Sequence, residues 1–231
     1  MISSGTPTSS RKPARTCGVS SPRLQGSTSP ARPTRAPPRR PDPRVEALFG
    51  GSFDPVHVGH LAAAEAAGEA LDARVRFLPA REQPFKRAAH GATPEQRAEM
   101  LDLAIAGNPR LAVERIELTL PTPSYTVRTL RALAEREPGN RFSLLLGADA
   151  AADLPAWYQV DALPDLADVI VFARPGAAPP RHRAIRRVVT VPAIDVSATL
   201  IRERVRQARS IRYLVPDAVR EYIAARGLYR E

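Results

Sequence analysis

Two histidines spaced three residues apart, His57 and His60, follow a glycine turn at 50–51 in the stretch Gly-Gly-Ser-Phe-Asp-Pro-Val-His-Val-Gly-His. The apolar run before the glycines predicts a strand, and the residues after the turn predict the start of a helix. Free N–H groups and the positive dipole end of a helix attract phosphate. Two imidazoles there would donate to oxygens that gain charge during phosphoryl chemistry. The stretch therefore predicts a phosphate site.

The spacing places both imidazoles on one face of the predicted helix, and Gly59 between them would let a ligand approach the backbone closely. A purely structural histidine pair and a metal site are the alternatives. Only His90 and His182 remain as further histidines, and neither a cysteine nor an Asp/Glu cluster accompanies the pair. The spacing is therefore too poor in ligands for a metal, and no metal-binding residue is expected.

A second anion site is predicted where Ser197 begins a basic helix that carries Arg202. The first-turn N–H groups and the forked guanidinium would together bind phosphate oxygens. A plain capped helix is the alternative for this segment alone. A triphosphate needs its charge neutralised at more than one place, so the two segments together favour nucleotide binding.

Three further segments each leave two interpretations open. Lys86 would contact a phosphate or remain a solvated surface lysine. The aromatic pair Trp157 and Tyr158 would stack on a planar ring, or its indole would pack against the core. Asp149, two residues after Gly147, would accept hydrogen bonds from a ribose or cap a helix.

These residues are spaced along an alternation of short apolar runs and helical segments. The predicted strands are Val45–Phe49, Arg74–Pro79, Leu111–Glu114, Arg141–Gly147, Val169–Ala173 and Val188–Val191. Helices between strands favour parallel strands joined by right-handed crossovers. We therefore expect an α/β fold with a Rossmann-like, doubly wound, mainly parallel sheet, helices on both faces and a C-terminal helical segment. In such sheets ligands bind beyond the carboxyl ends of the strands, so the loops after Phe49, Pro79 and Gly147 should converge.

Capping patterns define several helices. Thr93 and Gln96 form a capping box around Pro94, and Pro216 and Gly227 delimit the last helix. Another helix is predicted to open at Ser124. The inward-facing residues of these helices are predicted to be Leu61, Ala64, Gly68, Leu71, Val127, Leu130, Leu133, Val219 and Ile223.

Residues 1–44 differ in composition from the rest of the chain. They hold nine basic residues and one acid, which is +8 of the chain's formal charge of +10. This Pro/Ser/Arg-rich leader is predicted to be disordered, and residues 45–231 to form the folded domain. The leader is interpreted as dispensable or as the product of a misplaced start codon, with a transit peptide as the alternative. The absence of an apolar run and the single Cys17 predict a cytoplasmic protein without a membrane span.

Taken in order, these segments resemble the bacterial nicotinate-nucleotide adenylyltransferases, which belong to the nucleotidyltransferase superfamily with a His-x-Gly-His signature. The first motif, residues 50–60, marks the superfamily. The resemblance to this family depends on the later segments, which are Pro-Ser-Tyr-Thr at 123–126, Gly-Ala-Asp at 147–149, Trp-Tyr at 157–158 and Val-Ser-Ala-Thr-Leu-Ile-Arg at 196–202. The resemblance covers the chain from about Val45 to Tyr229.

The resemblance implies that the chain transfers the adenylyl group of ATP to nicotinate mononucleotide, giving deamido-NAD and pyrophosphate, with Mg²⁺ carried by ATP. The catalytic residues would be His57, His60 and Arg202. ATP would also contact Gly50, Gly51, Ser52, Phe53, Gly59, Gly147, Asp149, Ser197 and Thr199. The mononucleotide would contact Lys86, Tyr125, Thr126, Trp157 and Tyr158.

Three other functions remain as alternatives. The first is another adenylyl- or cytidylyltransferase of the superfamily, with nicotinamide mononucleotide or phosphopantetheine as acceptor. The second is an RNA-binding module, which the basic leader suggests but the small charge of residues 45–231 opposes. The third is a catalytically silent nucleotide sensor. We expect no nucleic-acid partner and leave the oligomeric state open.

Overall fold

The computed structural model describes residues 45–84, 91–173 and 181–231, and every structural statement below concerns these ranges. The leader at 1–44 and Lys86 lie outside them, so the predictions made for both stay predictions.

The centre of the fold is a six-stranded sheet in which all neighbouring strands are parallel. The strand order is β3-β2-β1-β4-β5-β6, which confirms the predicted doubly wound α/β fold. The strands are β1 (Val45–Gly51), β2 (Arg74–Pro79), β3 (Leu111–Val113), β4 (Arg141–Gly147), β5 (Asp168–Ala173) and β6 (Ile185–Thr190). The predicted start of β6, Val188, lies three residues after the observed start, because Arg186 and Arg187 interrupt the apolar pattern of this edge strand.

Helices cover both faces of this sheet. They are α1 (Val58–Leu71), α2 (Pro94–Ile105), α3 (Ile116–Thr119), α4 (Thr126–Arg136), α5 (Ala148–Ala152), α6 (Leu163–Leu166), α7 (Ala198–Arg206) and α8 (Asp217–Arg226), with two 3₁₀ turns at Leu154–Ala156 and Val160–Ala162. None of the helices within the described ranges is both long and apolar enough to cross a membrane.

Alternate residues of the strands divide the core into two apolar clusters, one on each face. On one face, Phe49 and Phe77 pack with buried residues of α1, α2, α7 and α8. On the other face, Leu48 and Leu144 pack with Leu130 and its neighbours on α4. Because side chains alternate across a strand, most strands contribute to both clusters, whereas β3 contributes only to the first. Of the residues predicted to face inward, Leu61 and Leu71 are only partly buried.

The capping patterns predicted most helix ends correctly. Thr93 Oγ1 accepts from the Gln96 N–H, and Gln96 Oε1 accepts from the Thr93 N–H, which closes the predicted capping box. Gly227 ends α8 in the left-handed region, with a φ of 62°. The prediction that a helix opens at Ser124 was wrong by two residues. Ser124 Oγ instead accepts from the N–H groups of residues 81 and 82, so it orders the loop after β2.

Candidate active site

A cleft of about 950 Å³ lies at the carboxyl ends of the strands. It is bordered by the loops after β1, β2 and β4, which confirms that these loops converge, and by the start of α7. The strand order reverses between β1 and β4, which is where doubly wound sheets bind ligands. Most of the predicted site residues line this cleft, namely Gly50, Gly51, Ser52, Phe53, His57, His60, Tyr125, Thr126, Gly147, Asp149, Trp157, Tyr158, Ser197, Thr199 and Arg202.

The two imidazoles are closer together than their sequence spacing suggests. His57 is the N-cap of α1, with extended backbone, and His60 is the third helical residue. The two imidazoles lie on the same side of the helix start, as predicted, although His57 precedes the helix and is not part of it. The two rings stack with their centroids 3.6 Å apart. The His57 N–H donates to Nδ1 of His60 at 3.3 Å, so Nε2 of a neutral His60 carries the proton.

Gly59 lies beside the ring of His57. It is not among the residues that line the cleft. A Cβ at this position would stand 3.1 Å from Nδ1 of His57, closer than most real Cβ contacts. The glycine therefore provides room for the His57 ring.

His57 is neutral at neutral pH. Its side chain is buried, and loss of hydration lowers its pKa from 6.5 to about 4. Its Nδ1 has no hydrogen-bond partner among the described residues, and the same is true of Ser52 Oγ. Buried polar atoms without a partner are uncommon in folded proteins. Both residues line the cleft, and these two atoms are themselves buried.

The start of α7 joins the histidine turn at the same cleft. Ser197 Oγ accepts from the Leu200 N–H at 3.1 Å, which confirms Ser197 as the N-cap. The Arg202 guanidinium donates to the main-chain carbonyl of Asp54 at 2.7 Å and to Thr199 Oγ1 at 3.3 Å. Arg202 therefore links the second predicted anion site directly to the first.

Aromatic side chains form another wall of the cleft. The rings of Tyr125 and Tyr158 stack with centroids 4.5 Å apart, and the Arg128 guanidinium lies 4.9 Å from the centre of the Tyr125 ring. Trp157 lines the cleft and also packs against the apolar cluster under α4. The two interpretations of Trp157, a cleft residue and a core residue, are thus compatible.

Asp149 is exposed in the cleft within the first turn of α5. The N-cap of α5 is Gly147, so the alternative that Asp149 caps this helix was wrong. An added Cβ at Gly147 would meet no atom within 4 Å, so this glycine leaves open space at the edge of the cleft.

Two buried charged residues beneath the cleft were missed. Arg97 is fully buried and donates to the carbonyl of Ser52 at 2.6 Å and to that of Arg81 at 3.3 Å. Burial lowers its pKa. Glu117 lines the cleft and accepts from Thr129 Oγ1 at 2.8 Å, and burial raises its pKa. The sequence did carry a signal for the burial of Arg97, because this arginine lies among the apolar residues Ala98, Met100 and Leu101 of α2.

Within the described ranges, no group of three or more His, Cys, Asp or Glu side chains could hold a metal ion.

The chain resembles known proteins in sequence and in fold. Residues 48–204 match the sequence profile of the cytidylyltransferase-like family. A protein of Roseiflexus castenholzii named "Probable nicotinate-nucleotide adenylyltransferase" is 46% identical over 193 residues, 79% of this chain and 96% of that protein. A Thermus thermophilus protein of the same name is 46% identical over 186 residues, 79% of this chain and 98% of its own.

Among solved structures, the nicotinic acid mononucleotide adenylyltransferase of Plasmodium falciparum, complexed with NaAD, has a TM-score of 0.65. It is 17% identical, and the match covers 80% of this chain and 97% of the other. At this identity the likeness concerns the fold alone.

Proposed function

Because the chain belongs to the cytidylyltransferase-like family, and within it to the nicotinate-nucleotide adenylyltransferases, we propose that it joins ATP and nicotinate mononucleotide into deamido-NAD and pyrophosphate. One structural observation supports this most directly. The histidine turn and the serine-capped arginine helix border one cleft, and Arg202 contacts the turn itself. A triphosphate between them would be bound from two sides.

The reaction needs no covalent enzyme intermediate. The mononucleotide phosphate is itself the nucleophile, and it attacks the α-phosphorus of ATP while pyrophosphate leaves. Catalysis then consists of alignment and of neutralising charge on the leaving oxygens. Arg202 supplies a full positive charge, whereas His57 acts as a neutral hydrogen-bonding group because of its low pKa.

The walls of the cleft suggest how the two substrates divide it. ATP lies against the glycine turn, with its phosphates between His57, His60 and Arg202 and its adenosine near Gly147 and Asp149. The pyridine ring lies near the aromatic wall, and the residues proposed to bind the mononucleotide are Tyr125, Thr126, Trp157, Tyr158 and, outside the described ranges, Lys86. The open space at Gly147 and the stacked tyrosines support this division.

Mg²⁺ would enter this site with ATP. Held by the phosphate oxygens, it would withdraw charge from the leaving pyrophosphate. The chain contributes hydrogen-bond donors around the triphosphate, and we assign no protein ligand to the metal. The single cysteine, Cys17, fits a reducing cytoplasm, where we propose that the reaction takes place.

The test is to incubate the purified protein with ATP, Mg²⁺ and one phosphorylated acceptor at a time. We expect pyrophosphate and deamido-NAD with nicotinate mononucleotide, and less product with nicotinamide mononucleotide or phosphopantetheine. A preference for either of the other acceptors would overturn the substrate assignment. ATP binding without any product would instead identify a nucleotide sensor.

A further inference from the structure

Tyr229, beyond the end of α8, reaches back to the turn that carries the histidines. Its side chain is 6% exposed, and its hydroxyl donates to Oδ1 of Asp54 at 2.7 Å. The ring packs so closely on Gly91 that a Cβ added there would stand 2.4 Å from Tyr229 Cδ1. This tyrosine is therefore fixed by packing as well as by its hydrogen bond.

Asp54 joins three parts of the structure. Its Oδ1 accepts from Tyr229, and its Oδ2 accepts from the Gly91 N–H at 2.9 Å. Its main-chain carbonyl accepts from the Arg202 guanidinium at 2.7 Å. Asp54 lies between the glycine turn and His57, so its position determines how Arg202 is held relative to the imidazoles.

The hydroxyl of Tyr229 is a permanent donor in this arrangement. Burial and the neighbouring Asp54 carboxylate raise the pKa of Tyr229 far above its usual range. On the other side of the turn, Arg97 donates to the carbonyl of Ser52. Arg97 therefore holds the turn at Ser52, and Tyr229 holds it at Asp54.

We propose that Tyr229 is a positioning residue for ATP: its hydroxyl fixes Asp54, and Asp54 in turn fixes Arg202 against the histidine turn. Tyr229 is not among the residues that line the cleft, so it acts through Asp54 and not by contact with substrate. The inference rests on the proposed function, because it assumes that the two elements bind one triphosphate.

Tyr229→Phe tests the proposal, because this change removes the hydroxyl and keeps the ring. Tyr222→Phe is the matched control, since the Tyr222 hydroxyl also donates to a carboxylate, that of Glu99, and joins α8 to α2 away from the cleft. We expect Tyr229→Phe to lower kcat/KM for ATP about tenfold, the rate equivalent of one hydrogen bond to a charged group. The KM for nicotinate mononucleotide should not change. Tyr222→Phe should leave both constants unchanged.

A double-mutant cycle with Asp54→Asn tests whether the effect passes through the aspartate. In the Asp54→Asn background, Tyr229→Phe should lower kcat/KM for ATP less than about threefold, because the hydrogen bond between the two side chains is already weakened. The proposal would be overturned if Tyr229→Phe lowered kcat/KM equally in the wild-type and Asp54→Asn backgrounds, or equally for both substrates.

Calorimetric titration with Mg²⁺-ATP separates this inference from the proposed function, since it needs no acceptor. A weaker ATP affinity in Tyr229→Phe and not in Tyr222→Phe would support the proposal even if no dinucleotide formed. Unchanged ATP affinity and unchanged turnover in Tyr229→Phe would refute it while the wild-type protein remained active.

Discussion

The two ends of helix α4 lie in polar regions of opposite character. At its last residue, Arg136, the helix meets Glu46, Arg76, Glu114 and Glu137, which we call the ion-pair cluster. At its first residues it borders the cleft, where Ser52 Oγ and His57 Nδ1 have no hydrogen-bond partner within the described ranges. The charged groups of the ion-pair cluster are paired with one another, whereas two residues that line the cleft, Ser52 and His57, each retain a buried polar atom without a partner among the described residues.

The ion-pair cluster centres on Arg76, whose side chain is 13% exposed. Its guanidinium lies 2.6 Å from Glu137 and 3.0 Å from Glu46. Hydrogen bonds from Arg76 lower the pKa of Glu137 from 4.5 to about 2. Each of these charges is therefore stabilised by its partners, whereas the charged form of His57 is destabilised by burial.

Replacing Arg76 should have the largest effect on folding and little on catalysis. We expect Arg76→Met to lower the free energy of unfolding by about 3 kcal/mol, because it removes a partner from three partly buried carboxylates. Arg183→Met removes an ion pair with Asp161 in which both side chains are exposed. This change should lower the free energy of unfolding by less than about 1 kcal/mol. Urea unfolding and kcat measure the two effects. A large loss of kcat in still-folded Arg76→Met would contradict the division between the regions.

The two regions should lose stability in different pH ranges. His57 binds a proton more tightly when unfolded, so its contribution is lost as the pH falls from 6.5 to about 4, by about 3 kcal/mol. Glu137, with a lowered pKa, loses its contribution as the pH falls from 4.5 to about 2. Urea unfolding at each pH should show the first loss disappear in His57→Gln and the second in Glu137→Gln. Identical pH profiles in His57→Gln and the wild type would disprove the first assignment.

Removing an imidazole from the cleft should act more on catalysis than on folding. We expect His60→Ala to lower kcat at least about tenfold, because one donor to the developing phosphate charge is lost. The thermal midpoint should fall by only a few degrees, which reflects the lost hydrogen bond from the His57 N–H and the lost ring stacking. Unchanged turnover in this variant would refute the role assigned to His60.

The smallest predicted effect comes from adding one methyl group to the cleft. Gly50 lines the cleft, and a Cβ there would meet no atom of the protein within 4 Å. We expect Gly50→Ala to keep the stability within about 0.5 kcal/mol of the wild type and to raise a substrate KM about threefold. Steady-state kinetics with both substrates would measure this, and unchanged KM values would show that no substrate approaches Gly50.

Local patterns predicted the elements because caps, glycine turns and apolar periodicity are local in sequence, whereas about half of the cleft residues were implied by the resemblance to a known family. The stacking of His57 on His60 was not predictable from spacing, since it depends on His57 preceding the helix. The contact between Tyr229 and Asp54 spans 175 positions and carries no local signal. Arg97 did leave a signal, a charge on an apolar helix face, but its partners are main-chain carbonyls that composition does not reveal.

The arginines of edge strand β6 also affect how two copies of the protein meet. Arg186 and Arg187 are exposed on a strand that, among the described residues, has no neighbouring strand on its outer side. Two copies approaching edge to edge would bring like-charged guanidinium groups together before any interstrand hydrogen bond formed. The same residues that obscured this strand in the sequence thus protect concentrated protein from sheet-to-sheet aggregation.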